Sequence, residues 1–161
     1  MTTEPSLEEI FHEFSHLPRF DDGRINYSSS DKAPVLICFI QCNNSILLLK
    51  RSEKVCAYRG LWSTVAGFID TNKKLSDKVM EEIEEELHIK KDNIQSIRFG
   101  KHYIFHDPPK TWIRYPILAT LREKQDITLD WEHTEYKWIR PMEIRQYVTP
   151  PGTWECLEKI L

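Results

Sequence analysis

Glu81, Glu82, Glu84, Glu85 and Glu86 fill five of six consecutive positions, at the end of a segment whose Val79, Ile83 and Leu87 recur at helical spacing. Like charges at i,i+3 and i,i+4 repel, and anions near a helix C-terminus oppose the macrodipole, each by a few tenths of a kcal/mol or more. A cation removes the conflict. On a helical wheel Glu82, Glu85 and Glu86 fall within one arc of about 100°, beside the apolar stripe. Three carboxylates on one rim suit a hard divalent ion, Mg²⁺ or Mn²⁺, through oxygen ligands. A solvated acidic face is the plainer account of these residues taken alone.

The residues leading into the helix favour the metal reading. From Gly67 to Ile89 the chain resembles, without gaps, the Nudix box, G-X5-E-X7-R-E-U-X-E-E-X-G-U with U aliphatic. Gly67, Glu82, Ile83, Glu85, Glu86 and Ile89 match it. Lys73 stands where the family has its first Glu, Glu81 where it has Arg, and His88 where it has Gly. The first two departures read as one ion pair with its signs exchanged. His88 puts a side chain where left-handed geometry favours Gly or Asn. The resemblance implies metal ligation by the Gly67 carbonyl and by Glu82, Glu85 and Glu86, none of which is altered.

The flanks agree. Residues 59–70, RGLWSTVAGFID, resemble the Trp-containing strand and turn that run into many Nudix boxes, and Leu47–Arg51 resembles the preceding strand with its basic end. Residues 129–139 look like the family's acidic loop and Trp strand. The family often takes a further Glu from this loop, about six residues before the Trp, and Glu132 has that spacing from Trp138. The likeness spans residues 34–148.

The chemistry implied is metal-assisted hydrolysis of a phosphoanhydride: the cation neutralises bridging oxygens and polarises a water, and a carboxylate takes the proton. Glu82 and Glu85 belong to that machinery. Glu132 is the first choice of base and Glu135 the second. Arg51 and Arg59 are candidate phosphate contacts, with Arg114 a further one, because guanidinium grips phosphate oxygens in a bidentate way. Tyr58, Trp62, Tyr103, Trp112 and Tyr115 are aromatics able to stack on a base, although strand aromatics more often pack the sheet. The implied substrate is a nucleoside diphosphate linked to another group: a nucleotide sugar, a dinucleotide or a nucleoside triphosphate. Two alternatives stand beside this. One is a catalytically silent ligand sensor or scaffold of the same fold. The other is an isopentenyl-diphosphate isomerase, disfavoured because Ser63–Gly67 lacks the Cys that family places after such a Trp.

At 161 residues and 40% hydrophobic, the chain suits one domain and one core. The net charge of −3 comes with scattered basic residues, unlike a duplex nucleic-acid binder. The longest apolar runs are of strand length, and the N-terminus carries no basic region followed by a hydrophobic core. The expectation is a soluble, cytoplasmic protein whose partner is a small diphosphate, with no membrane and with a homodimer left open. Four cysteines without a CxxC pair and six dispersed histidines read as free thiols and as surface or groove imidazoles. His12 with His16 and His102 with His106 each share a face.

The elements that must position these groups follow from periodicity and turn residues. Ser6 with Glu9 makes a capping-box pattern before a short helix carrying Leu7, Ile10, Phe11 and Phe14. Residues 17–33 form an irregular connection. Strands at 34–41 and 45–50 meet at Asn43-Asn44, and residues 51–61 form a loop. The Nudix helix covers 75–88. Strands at 94–106 and 111–121 flank Asp107-Pro108-Pro109, and Trp131–Ile139 is the last strand. A helical turn at 142–147 and a helix from Trp154 to Leu161 close the chain. The order lacks the regular βα alternation of a doubly wound sheet, and the resemblance implies the Nudix fold, an α/β (α+β) architecture with a mixed sheet between helices: an α/β/α sandwich with residues 1–33 before a 34–148 core and 149–161 after it.

Overall fold

The computed structural model describes residues 3–161. Eight strands form one mixed sheet: β1 Lys32–Cys42, β2 Ser45–Arg51, β3 Trp62–Ser63, β4 Val65–Phe68, β5 Ile94–Phe99, β6 Tyr103–Asp107, β7 Lys110–Leu121 and β8 His133–Ile139. The central path runs β3-β2-β1-β7-β5, with β4 on β1, β6 on β7 and β8 on β2. Only β1 and β7 pair in parallel, from Lys32↔Thr111 to Gln41↔Thr120; the other pairings are antiparallel.

Strand alternation explains the two layers of helix. Along β1, Leu36, Cys38, Ile40 and Cys42 face one way, into a cluster with Leu7, Ile10 and Phe14 of the N-terminal segment and Leu75, Val79, Ile83 and Leu87 of the box helix. Phe39 faces the other way, with Ile46, Leu48, Leu118 and Ile139, against Ile144, Cys156, Leu157 and Ile160. The helices are α1 Glu8–Glu13, α2 Leu75–Leu87 and α3 Thr153–Glu158. The α/β/α sandwich expected from sequence is the observed arrangement.

Several boundaries differ, each for a local reason. Leu7, not Ser6, precedes α1, and the Ser6 hydroxyl accepts the Glu8 N–H at 3.4 Å, so no capping box forms. The strand expected at 94–106 is two strands, because Gly100 leaves the ladder to donate to the Pro116 carbonyl. The Trp-containing segment at 62–68 likewise divides, β3 pairing with β2 and β4 with β1. The last strand starts at His133, residues 141–146 form a 3-10 turn, and α3 ends at Glu158. Asn43 takes φ 56° in the β1–β2 turn, as Asn tolerates.

Candidate metal and substrate site

Helix α2 owes its place to Leu75, Val79, Ile83 and Leu87, all nearly inaccessible, which press one face onto the sheet. Its N-terminus is capped from far away in sequence: the Glu4 carboxylate accepts the Ser76 N–H and hydroxyl, both at 3.1 Å. The burial of that stripe turns the acidic rim toward β4. There Gly67 gives Glu82 room: a Cβ on it would stand 2.8 Å from the Glu82 carboxyl carbon and would push that carboxylate from its place beside Lys78.

The three departures from the box are accommodated. Lys73 Nζ lies 2.6 Å from Glu81 Oε2, so the exchanged ion pair forms. His88 ends α2 in the left-handed conformation, φ 57° and ψ 33°, and its N–H still closes on the Glu84 carbonyl. Its ring Nδ1 stands 2.7 Å from the Thr128 carbonyl oxygen, tying the helix end to the loop that leads to β8.

The carboxylates divide into two groups. Glu82 is engaged by Lys78, whose Nζ is buried at 3.1 Å from Glu82 Oε1 and 3.2 Å from Asp70 Oδ1. Burial opposes the Lys78 charge, yet Glu82 and Asp70 more than offset it and hold the ammonium above its ordinary value. Burial also lifts the Glu82 carboxyl, against the pull of Lys78. Glu86 has no such cation: it is 1% exposed, and neither carboxylate oxygen has a hydrogen-bond partner. Burial first, then the charges of Glu132 and Glu82, push it well above the usual carboxylate range. Glu132 lies in the loop before β8, its backbone held by Ser52 and Asp130. Burial and the Asp130 charge push its carboxyl up to about 7. Glu85 is exposed on the same rim.

Next to Glu132, His133 is buried, with both ring nitrogens unpartnered and its charged form suppressed by burial to a pKa of about 4. Glu86, Glu132 and His133 each offer a ligand atom, all within 4.8 Å of one another. This donor set fits a divalent cation: carboxylate oxygens and an imidazole nitrogen lie together, those of Glu86 and His133 out of reach of solvent.

Two cavities meet at Gly67 and Glu132. One, about 430 Å³, is polar and lined by Arg24, Asp70, Lys78, Glu81, Glu82 and Glu85. The other, about 320 Å³, is mostly apolar; Tyr58, Phe68, Trp112 and Trp131 form its walls and Arg51 its charged rim. Its floor includes Arg114, buried beneath Gly152, with a guanidinium 3.9 Å from the Phe105 ring and Nη2 bonded to the Pro151 carbonyl at 3.0 Å. A Cβ on Gly152, already at φ 77°, would strike Phe105 at 2.6 Å and Arg114 at 2.7 Å.

Gly67, Glu82, Glu85, Glu132 and Arg51 are thus brought to one place, with Glu86 beside them. Arg59 is not among the cavity-lining residues: its Nε donates to the Val55 carbonyl and braces its own loop. Glu135 is exposed and paired across strands with Lys50 at 3.2 Å. Of the aromatics considered, Tyr58 and Trp112 line the apolar cavity. Trp62 packs on Tyr147, Tyr103 lies under Lys159, and Tyr115 is in the core. Phe68, Trp131, Lys78 and His133 were not singled out from sequence. For Trp131 and His133 the available signal was adjacency to Glu132; for Lys78 it was the i,i+4 relation to Glu82 on a helix. The four cysteines are free. His106 bonds Thr111 and His102 stacks on Tyr115, apart from any metal cluster among the described residues.

Comparison with known proteins follows the same lines. The family model described as the NUDIX domain matches residues 31–160. A curated relative, the nucleoside triphosphatase NudI of Escherichia fergusonii, is 24% identical over 120 residues, covering 70% of this chain and 85% of its own. The solved structure of a MutT protein from Methanosarcina mazei superposes with TM-score 0.65 at 24% identity, over 79% of this chain and 91% of that one. The NUDIX domain of Shewanella oneidensis NrtR, solved with ADP ribose, does so with TM-score 0.67 at 15% identity, over 99% and 96%.

Proposed function

The chain belongs to the Nudix hydrolase family, as an enzyme of the pyrophosphohydrolase type, and from that premise we propose that it cleaves the phosphoanhydride of a nucleoside diphosphate linked to another group. The observation that carries this reading is the junction of the polar and apolar cavities at Gly67 and Glu132. A diphosphate belongs on the acidic side, where a cation screens it, and the nucleoside belongs between Tyr58, Phe68, Trp112 and Trp131.

Gly67, Glu82, Glu85 and Glu86 would hold the ion, Mg²⁺ or Mn²⁺, with Glu132 beside them. A bound divalent ion supplies charge neutralisation at the bridging oxygens and polarises the attacking water. The residues do the rest. Glu132, whose carboxyl is pushed up to about 7, takes the proton from that water, a task that favours a base titrating near the working pH. Lys78 keeps Glu82 in place from behind, and Gly67 leaves it room. Arg51 lies on the cavity rim with Glu132, its Nε donating to the Ala57 carbonyl at 3.0 Å, and its remaining N–H groups would contact a phosphate. Arg59 braces the loop that carries Tyr58. The four free thiols support a reducing, cytoplasmic setting.

The test is turnover of a diphosphate panel with Mg²⁺ or Mn²⁺, beside Glu85→Gln. Nucleoside triphosphates and ADP ribose come first, since a relative is named for hydrolysing the one and a neighbour was solved with the other. Metal-dependent cleavage lost in Glu85→Gln is the expected result. Ligand binding without turnover by the unaltered chain would instead make it a silent sensor.

A further inference from the structure

His133 opens β8 where the pairing with β2 is irregular, between Lys50 and Arg51. Such bulges re-aim side chains. Here the imidazole is buried, with Nδ1 3.8 Å from Glu86 Oε1 and 3.5 Å from Asp130 Oδ1. The separation from Glu86 is too long for a hydrogen bond. Two ligand atoms about 2.1 Å from one shared ion stand ~3–4 Å apart, which is the spacing seen. Both nitrogens of His133 and both oxygens of Glu86 lack hydrogen-bond partners. Interiors leave few such atoms, and here His133 Nδ1 and Glu86 Oε1 face each other at 3.8 Å. No lysine or arginine among the described residues forms an ion pair with Glu86, since Lys78 is committed to Asp70, Glu81 and Glu82.

We propose that His133 is a ligand of the divalent ion, together with Glu86, so that this chain binds its metal through nitrogen as well as oxygen. The proposal rests on the metal assignment made above and adds a residue to it. Its consequence is selectivity: an imidazole ligand favours first-row transition ions over Mg²⁺, so Mn²⁺ binds more tightly here than at an all-carboxylate site.

The experiment uses the full chain loaded with Mn²⁺ and pulsed electron paramagnetic resonance. Unlabelled protein should show coupling from a directly bound ¹⁴N, replaced by ¹⁵N coupling when histidine alone is ¹⁵N-labelled. His133→Gln should abolish the coupling and lower the Mn²⁺ to Mg²⁺ affinity ratio by about tenfold or more. The labelling arm shows whether the nitrogen is a histidine's, and His133→Asn is a second variant that assigns it to this position should His133→Gln fail to fold. Mn²⁺ bound without nitrogen coupling, or coupling that survives in folded His133→Gln, overturns the proposal. Turnover measured on the same samples separates the two readings: metal-dependent hydrolysis without nitrogen coupling removes the ligand and leaves the hydrolase.

Discussion

Lys78→Met tests whether the acidic rim is held together by a cation of the protein's own. The ammonium stands 3.2 Å from Asp70 and 3.1 Å from Glu82, with side-chain exposures of 8%, 9% and 13%. Removing one partner of a buried ion pair costs about 3–5 kcal/mol, because the charge left behind is still desolvated. Asp70 keeps Arg24 at 3.8 Å, which places the cost at the lower end, about 3 kcal/mol. For a chain of this length that lowers Tm by roughly 6–12 °C. Thermal and urea unfolding of the metal-free protein measure it. Lys78 has a folded pKa above its unfolded value, so its contribution is complete below about pH 10 and is lost only as pH rises through the folded pKa. Lys78 itself therefore adds no slope to the difference between wild type and Lys78→Met from pH 7 to 9, and a slope there reports Glu82, whose carboxyl loses the cation that held it down. Glu82→Gln added to Lys78→Met should recover stability, with a coupling of about 1–3 kcal/mol in the double-mutant cycle. A loss below about 1 kcal/mol, or additive losses, would refute the reasoning and reduce Lys78 to an ordinary i,i+4 partner.

Three further outcomes follow from the same geometry. Glu86→Gln should raise the stability of the metal-free chain, by an amount on the order of 1 kcal/mol, while calorimetry shows divalent-ion binding lost; a destabilised fold would mean that Glu86 has partners the geometry does not show. Carboxyl ¹³C titration of the metal-free protein should find Glu132 near pH 7, so that it accepts a proton above that pH and is silenced below it, and saturating Mg²⁺ should move the midpoint down; a midpoint at the ordinary glutamate value removes the desolvation argument. Lys73→Glu should destabilise, and Lys73→Glu with Glu81→Arg should recover, by a coupling of only about 0.5 kcal/mol because both side chains are partly exposed; zero coupling means that the exchanged pair supports nothing.

What could be read from sequence was what spacing along one element enforces. A helix obliges Glu82, Glu85 and Glu86 to share a rim with the stripe of Val79 and Ile83, and a loop of fixed length returns Lys73 to Glu81. The sandwich followed from the order of elements, from the turn residues that bound each strand and from the family resemblance. Illegible were the groups whose direction depends on contacts between elements. Phe68 reads as a core residue of β4, yet it is 44% exposed and walls a cavity, because β4 pairs only with β1 and ends there. His133 reads as one of six dispersed histidines until the irregular pairing of β2 with β8 turns it inward. Arg114 reads from sequence as a candidate phosphate contact, yet it is buried in a stretch of β7 covered on both faces, with its guanidinium over the Phe105 ring and Nη2 on the Pro151 carbonyl.

The departures from the box now have physical meaning. Lys73 and Glu81 exchange signs and keep their contact. His88 takes a left-handed conformation that costs a non-glycine residue about 1 kcal/mol or more, and its ring bonds the Thr128 carbonyl, an interaction of similar size. That bond also fixes the loop from which Asp130, Glu132 and His133 project. A glycine at this position would relieve the backbone and release the loop. The variation has therefore fallen on residues that support the site, with compensation at each, while Gly67, Glu82, Glu85, Glu86 and Glu132 converge. Buried beside His133, the Glu86 carboxyl is relieved in the metal-free chain by holding its proton, and a cation bound there would have to displace that proton, so divalent-ion affinity should rise with pH if Glu86 is a ligand.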